Sequence, residues 1–220
     1  MAKTKSKSRR LSRIWKVVKE RVISVPSRDD AFNFYRDVDE STDLPEGDEI
    51  RRANLRSYLD EVVGEATVLV VGQGPGRRAT RFTGVPFTSQ AQLLRPDFPV
   101  TGDRSSLGPN PLSDRTASQL WKELLPFYPD LLFWYAFPLH AHRPGAGQTD
   151  RTPTRRELDE FGPVVREIHE IMEPRMVLAV GRSARTALEN LEIEHEWVRH
   201  PAYGGTRAFR RGILDLLGED

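Results

Sequence analysis

The sequence of 220 residues contains no cysteine and no long apolar run, and each absence excludes several classes of protein. Without cysteine the chain cannot form disulfides, use a thiol nucleophile, bind zinc through thiolates or hold an iron–sulfur cluster. No apolar stretch approaches the roughly 20 residues that a membrane-spanning helix needs. The basic N-terminus also lacks the apolar core of a secretory signal. We therefore expect a cytoplasmic protein that does not associate with membranes.

Acidic and basic residues nearly balance, with a net charge of +1, but they are unevenly distributed along the chain. Residues 1–22 carry one acid, Glu20, against nine basic residues, which are Lys3, Lys5, Lys7, Arg9, Arg10, Arg13, Lys16, Lys19 and Arg21. We interpret this segment as a basic N-terminal arm, which is either a disordered, solvated tail or an element that binds a polyanion. Residues 29–49 are rich in acids, and we expect a solvated loop there.

The pattern of apolar residues predicts one domain over residues 23–220, with its core at about 66–217. Strands are predicted at 68–71, 131–139, 176–180 and 197–200. Helices are predicted at 50–63, 154–173, 183–191 and 206–217; another begins after Ser113 or Asp114 and buries Ala117, Leu120, Trp121, Leu124 and Leu125. Strands that alternate with helices indicate an α/β three-layer sandwich around a mostly parallel four-stranded sheet.

Two loops of unusual composition follow predicted strands. The first, Gly72-Gln73-Gly74-Pro75-Gly76, lacks the Gly-x-Gly-x-x-Gly spacing of a dinucleotide site and the Gly-Lys-Ser/Thr of a phosphate loop. The second runs from Arg199 to Gly205 and contains His200-Pro201 and Tyr203. Because sites in parallel sheets form where loops leave the carboxyl ends of the strands, we expect the two loops to meet.

Taken in order, these segments resemble the uracil-DNA glycosylase superfamily over roughly residues 32–217. The first loop is similar to the first motif of that superfamily, in a form closest to the branch of families 4 and 5. Further similar segments are Gly84-Val85-Pro86-Phe87, which resembles the segment with the base-stacking aromatic, His140–Pro144 with Arg151–Thr154, Val180–Ala184, and His200-Pro201, which resembles the second catalytic motif.

The resemblance implies a monofunctional DNA glycosylase, which hydrolyses the N-glycosidic bond of a flipped nucleotide and leaves an abasic site. It implies that the partner is DNA, single- or double-stranded, and that neither a cofactor nor a catalytic metal takes part. His140 and His142 have no matching carboxylate cluster nearby in the sequence, so we expect no metal site there either. We also expect a monomer.

The resemblance also implies roles for individual residues. His200 would donate a hydrogen bond to the pyrimidine O2 as negative charge develops there, and Gln73 would position the attacking water. Phe87 would stack on the base, unless it is a core residue, and Tyr203 would enter the gap in the DNA stack, unless it is an ordinary surface residue. The remaining candidates are Gly72, Gly74, Pro75, Gly76 and Tyr135 around the base, and Arg77, Arg78, Arg81, Arg182, Arg199 and Arg207 on the DNA.

Two positions depart from the pattern of the superfamily. Gly74 stands where many members place an acid or an amide, and the preceding Gln73 can position a water but cannot take its proton. Tyr135 stands where members usually carry an asparagine that reads the edge of uracil. Catalysis must therefore depend mainly on charge stabilisation or use another group, and the pocket is open to bases other than plain uracil.

Three functions stay open from the sequence. The first is a repair glycosylase for uracil or another deaminated base. The second is a glycosylase for a 5-modified cytosine of phage DNA, hydroxymethylated or glucosylated, which would be an antiviral defence enzyme; Gly76 leaves room for such a group where some members have a tyrosine. The third is a DNA-binding protein with a degenerate pocket, against which the retention of His200 and Phe87 argues.

Overall fold

A four-stranded parallel sheet lies at the centre of the computed structural model, which describes residues 2–218 and the side chains from residue 6 onward. The strands are β1 (Ala31–Phe32), β2 (Val68–Gly72), β3 (Leu131–Tyr135), β4 (His140–Ala141), β5 (Met176–Val180) and β6 (Glu196–Val198). The order in the sheet is β3-β2-β5-β6, while β1 and β4 form a separate antiparallel pair. Every residue of β2 and β3 is buried, as their continuous apolar runs require. The predicted fold class is confirmed.

Helices flank this sheet. They are α1 (Ala2–Val18), α2 (Gly47–Val62), α3 (Thr80–Thr83), α4 (Gln90–Leu93), α5 (Arg115–Leu124), α6 (Arg155–Met172), α7 (Arg182–Asn190) and α8 (Thr206–Leu217). A π-helical turn, Lys19–Ile23, continues α1, and a 3₁₀ turn, Leu125–Phe127, follows α5. Within the described residues, no helix combines the length and apolar character that crossing a bilayer requires.

The helix starts follow the capping signals in the sequence. Thr154 Oγ1 accepts a hydrogen bond from Glu157 N–H at 3.3 Å, and Glu157 Oε2 accepts one from Thr154 N–H at 2.7 Å, which completes a capping box for α6. Asp114 caps α5 by accepting from Ala117 N–H at 2.8 Å. Pro163 lies inside α6 without ending the helix.

Two predictions in the region of α5 and β3 are wrong. The strand predicted at 131–139 ends at Tyr135, because the chain then leaves the sheet and forms β4. Leu125, predicted to be buried in the helix that Asp114 caps, is 45% exposed. It lies in the 3₁₀ turn after α5, so it no longer continues the buried face of that helix.

The N-terminal segment is not a disordered arm, and this part of the prediction is corrected. Leu11, Ile14, Val17 and Val18 of α1 are buried, and the helix packs against α6 and α2. Lys7 and Arg10 of α1 form ion pairs with Asp60 of α2 and with Glu173 at the end of α6, and Arg21 of the π-helical turn pairs with Glu167 of α6. Residues 1, 219 and 220 and the side chains of Lys3 and Lys5, which the predictions covered, lie outside the described part.

The first half of α1 lies at the amino edge of the sheet. Lys7 reaches Asp60, shortly before β2 begins, and Arg10 reaches Glu173, shortly before β5 begins, each at 3.8 Å. The loops that resemble catalytic motifs leave the opposite, carboxyl edge. These two basic side chains therefore dock α1 on the domain, which is a different role from the polyanion contact that the sequence suggested.

The acidic segment at 29–49 is also not simply solvated. The side chain of Asp43 is fully buried, and its carboxylate binds Arg51 at 3.0 Å and Arg81 at 2.9 Å. The Arg81 guanidinium lies 4.4 Å from the ring centroids of both Phe32 and Phe82. The prediction that Arg81 binds a DNA phosphate is therefore wrong, because its charge is buried and already paired with Asp43. Burial, opposed by Asp43, lowers the pKa of Arg51 to about 10. The three charges form one internal network.

The packing of α1 predicts a large loss of stability for Ile14→Ala. Ile14 is fully buried, so truncation should lower the free energy of unfolding by about 2–5 kcal/mol through lost apolar contact and a cavity. Chemical denaturation measures this change. The exposed neighbour Arg13 is the control, since Arg13→Ala should change stability by less than about 0.5 kcal/mol. Equal stability of the two variants would contradict the docking of α1.

Candidate active site

A cavity of about 670 Å³ opens at the carboxyl ends of β2, β5 and β6. Its volume lies in the range of small-molecule sites. Both loops singled out in the sequence contribute to it, as expected for loops that leave the same edge of a parallel sheet. Its lining contains nine predicted site residues, namely Gln73, Gly74, Gly76, Phe87, Tyr135, Arg182, Arg199, His200 and Tyr203.

The floor of the cavity depends on a close approach of Phe87 to Gly72. A Cβ at Gly72 would collide with Phe87 Cζ, so only glycine fits at the end of β2. Phe87 itself has φ +57°, a left-handed conformation that is strained for a bulky residue. Its ring is 6% exposed and lies 4.8 Å from the ring of Tyr135, so it is partly a core residue and partly a wall of the cavity.

The hydroxyl of Tyr135 fixes this arrangement. It accepts a hydrogen bond from Phe87 N–H at 2.8 Å and shares another with Thr80 Oγ1 at 3.0 Å. Burial raises the pKa of Tyr135, and the phenol therefore stays protonated. Tyr135 lines the cavity as predicted, but its hydroxyl is used to position the Phe87 backbone.

His200 presents a defined tautomer to the cavity. Its Nδ1 accepts a hydrogen bond from Ala202 N–H at 3.2 Å, so in the neutral imidazole the proton is on Nε2. Burial lowers the pKa of His200, while the Asp114 carboxylate acts in the opposite direction. A Cβ at Gly181 would come within 3.1 Å of His200 Cβ, which shows how closely the imidazole loop packs on the end of β5. The ring therefore offers Nε2–H as a donor.

Gln73 is oriented by the start of α7. Its Oε1 accepts a hydrogen bond from the Ser183 hydroxyl at 2.8 Å, which leaves the amide N–H groups available to a molecule in the cavity. The backbone of the same loop continues the sheet, since Phe137 N–H donates to the Gln73 carbonyl at 3.0 Å. Gln73 is thus a rigidly held donor at the cavity wall.

Two carboxylates, Asp114 and Asp150, line the cavity, and the sequence identified neither as a functional residue. Asp150 Oδ1 accepts from Arg77 N–H at 2.9 Å and lies 3.1 Å from Nε2 of the buried His140. Burial alone would raise the pKa of Asp150, but these hydrogen bonds hold it below its usual range. Asp150 therefore anchors the glycine-rich loop. From the sequence, Asp114 had no predicted role except as a possible cap of the helix that follows it.

The mouth of the cavity carries exposed aromatic and basic side chains. Tyr203 is 99% exposed at φ +51°, and its carbonyl accepts from Arg199 Nη2 at 3.4 Å. Trp197, which the sequence did not single out, is 42% exposed and has the Arg185 guanidinium 5.6 Å from its ring centroid. These groups suit contact with a ligand larger than the cavity itself.

The other predicted residues lie beside the cavity and do not line it. Gly72 and Pro75 belong to the glycine-rich loop and are buried. Arg77 Nε lies 3.5 Å from Asp150 Oδ2, and Arg78 Nε donates to the Ser113 carbonyl at 3.2 Å. Arg207 is exposed in the first turn of α8.

The role of the Tyr135 hydroxyl predicts a local effect for Tyr135→Phe. The variant leaves Phe87 N–H without its partner, which should cost about 1–3 kcal/mol of stability and speed hydrogen exchange at the Phe87 amide. Tyr58→Phe is the matched control, because the Tyr58 hydroxyl accepts from Phe133 N–H at 2.7 Å and should affect that amide alone. Unchanged protection of the Phe87 amide in Tyr135→Phe would contradict this role.

Comparisons with known proteins show the family and the fold of the chain. No curated protein has a sequence that matches the chain. The crystal structure of wild-type SMUG2 from Pedobacter heparinus is similar in fold, with a TM-score of 0.60 and 13% sequence identity over 94% of each chain. The family model of the uracil DNA glycosylase superfamily matches residues 60–211, which is more than half of the chain and includes both cavity loops. The chain therefore belongs to the uracil DNA glycosylase superfamily.

Proposed function

We propose that this protein is a monofunctional DNA glycosylase that hydrolyses the N-glycosidic bond of a flipped pyrimidine, uracil or a related damaged or modified base, and leaves an abasic site. The observation that carries the proposal is that His200 and Phe87, which are far apart in sequence, line one cavity. The similarity of the glycine-rich loop to the branch of families 4 and 5 belongs to the same proposal. The proposed partner is DNA and the proposed state is a monomer.

Base flipping needs a surface that receives the base and a group that fills the gap. Extruding a nucleotide costs a few kcal/mol, and stacking on an aromatic ring returns about 1–3 kcal/mol. Phe87 supplies an aromatic wall inside the cavity, and the exposed Tyr203 supplies the group that enters the gap. Arg182 and Arg199 at the mouth, with Arg77, Arg78 and Arg207 beside it, supply contacts to phosphates.

Cleavage of the N-glycosidic bond places negative charge on the leaving pyrimidine. The Nε2–H of His200 is a fixed donor for that charge, because Nδ1 is already bound to Ala202 N–H. The amide of Gln73, whose Oε1 is held by Ser183, is the group that we propose to position the attacking water. Donors that are oriented before the reaction stabilise developing charge without reorganisation, so this wall of the cavity suits a departing anion.

A second candidate, release of a 5-modified cytosine from phage DNA as an antiviral defence, is favoured by the space at Gly76. A Cβ at this position would have only Asp114 Oδ2 near it, at 4.0 Å. The cavity, at about 670 Å³, has room for more than a plain pyrimidine ring. Both observations support a base that carries a substituent, hydroxymethyl or glucosyl.

Substitution of His200 tests the proposed chemistry. Loss of one donor to a developing anion should reduce single-turnover base release by about 10²–10³-fold, with DNA affinity retained. Alkaline cleavage of oligonucleotides that carry uracil, hypoxanthine, mismatched thymine or 5-modified cytosine measures base release by wild type and by His200→Ala. The control His195→Ala removes an imidazole that does not line the cavity, and it should cleave like wild type.

The outcomes of this assay separate the three functions. Release of uracil or mismatched thymine supports repair, and release of only the 5-modified cytosines supports the second candidate. Release of hypoxanthine, a purine, would support repair but contradict the restriction to pyrimidines. If wild type releases no base but binds DNA, the protein is a binding protein and the proposal is wrong. Equal cleavage by His200→Ala and wild type would remove the role of the imidazole.

Substitution at Gly76 tests whether the open space accepts a substituent. Gly76→Leu should reduce release of a 5-substituted pyrimidine at least about tenfold more than release of uracil. The added side chain would occupy the space of the 5-substituent, whereas uracil has no substituent at that position. Gly108→Leu is the control, since it adds the same side chain where a Cβ would have no neighbour within 4 Å and lies away from the cavity. An equal effect on both substrates would contradict a pocket for the substituent at Gly76.

A further inference from the structure

The glycine-rich loop supplies no group that can take a proton from an attacking water, since it offers only Gln73 and glycines at that point. We propose that Asp114, at the start of α5, is the catalytic carboxylate that orients this water and accepts its proton. This role rests on the proposed glycosylase activity and names the group that the first motif lacks.

The two oxygens of Asp114 are used differently. Oδ1 accepts from Ala117 N–H at 2.8 Å and so fixes the carboxylate on the first turn of α5. Oδ2 would lie 4.0 Å from a Cβ added to Gly76, so it is close to the glycine-rich loop, and both residues line the cavity. Within the described residues, Oδ2 makes no hydrogen bond or ion pair. One oxygen thus holds the group in place and the other is available to a water.

The start of α5 is also tied to the glycine-rich loop. Arg78 Nε donates to the carbonyl of Ser113 at 3.2 Å, directly before the cap. Asp114 is therefore held from two sides, by its own helix and by the loop whose missing acid it would replace. A carboxylate with a fixed position can orient a water without first losing freedom of its own.

The charge of Asp114 acts on two other residues that line the cavity, His200 and Tyr135. It opposes the effect of burial on the pKa of His200, and it adds to the effect of burial on the pKa of Tyr135. The carboxylate and the imidazole line the same cavity although they stand on different elements, α5 and the loop after β6. A nucleotide bound in the cavity would therefore have both a donor, His200, and an acceptor, Asp114, within the same lining.

The other carboxylate on the cavity is already engaged. Asp150 is bound by Arg77 N–H and by His140, and the Arg77 guanidinium lies nearby. These contacts stabilise its charged form and make it a poor proton acceptor. Of the two carboxylates, Asp114 is the one with an oxygen to offer.

The proposed step balances as a hydrolysis. The water oxygen forms a bond to C1′ of the sugar while the bond from C1′ to the base nitrogen breaks, and the electron pair leaves with the base. His200 Nε2–H stabilises the resulting anion, and the proton released by the water passes to Asp114 Oδ2. Before the transfer, the negative carboxylate also stabilises the positive charge that develops on the sugar.

Asp114→Asn tests the proposal, because asparagine keeps the helix cap and the shape but cannot act as a base. Single-turnover base release should fall about 10²–10⁴-fold, with DNA affinity and thermal stability close to wild type. Asp215→Asn, an exposed site on α8 away from the cavity, makes the same change in net charge and should cleave like wild type. NMR titration should also show a lower pKa for His200 in Asp114→Asn.

Each other outcome overturns the role of Asp114. Cleavage within twofold of wild type, on the substrate that wild type does release, would remove Asp114 from the mechanism and leave the glycosylase activity intact. If Asp114→Asn lost DNA affinity by as large a factor as it loses base release, or lost thermal stability, Asp114 would have a structural role instead. An unchanged pKa of His200 in Asp114→Asn would contradict an electrostatic interaction between the two residues. If wild type releases no base, the proposed function and the role of Asp114 fail together.

Discussion

The site depends on one steric constraint, the contact of the Phe87 ring with the backbone of Gly72. Glycine at the end of β2 lets an aromatic ring lie directly on the sheet, and the Tyr135 hydroxyl holds the Phe87 backbone in its left-handed conformation. Because Gly72 and Tyr135 are paired neighbours on β2 and β3, the sheet itself sets the position of the ring. The left-handed backbone at Phe87 is a local strain of about 1–3 kcal/mol, which the surrounding core offsets.

The opposite wall is built from loops that the same sheet aligns. His200 packs against Gly181 at the end of β5, and Gln73 is held by Ser183 at the start of α7. Asp114 reaches the cavity from α5, outside either motif loop. Oriented donors and a carboxylate in one cavity are groups that can stabilise a bond breaking into a cation and an anion. The chemistry is thus divided among elements that come together only through the fold.

Local signals in the sequence were enough for the sheet and for part of the site. Apolar runs located β2 and β5, the Thr154–Glu157 capping box located α6, and strand polarity predicted that the glycine-rich loop and the His200 loop would meet. Local signals could not predict the long-range contacts. Asp43 is buried because it pairs with Arg51 and Arg81, and α1 is buried because it packs on α6. The helical spacing of Leu11, Ile14 and Val18 was visible, but the basic residues around it suggested a tail. Asp114 carried only a capping signal, because its distance to the glycine-rich loop exists only after folding.

The most direct test of the account is a crystal structure of the protein bound to DNA in which the nucleotide whose base is released carries a 2′-fluoro group. The fluorine slows cleavage because it destabilises the positive charge that develops on the sugar. We expect the base inside the cavity, with its ring against Phe87 and its O2 within hydrogen-bond distance of His200 Nε2. A base that stays in the DNA stack in a complex seated on the cavity, or one bound away from both residues, would contradict the account.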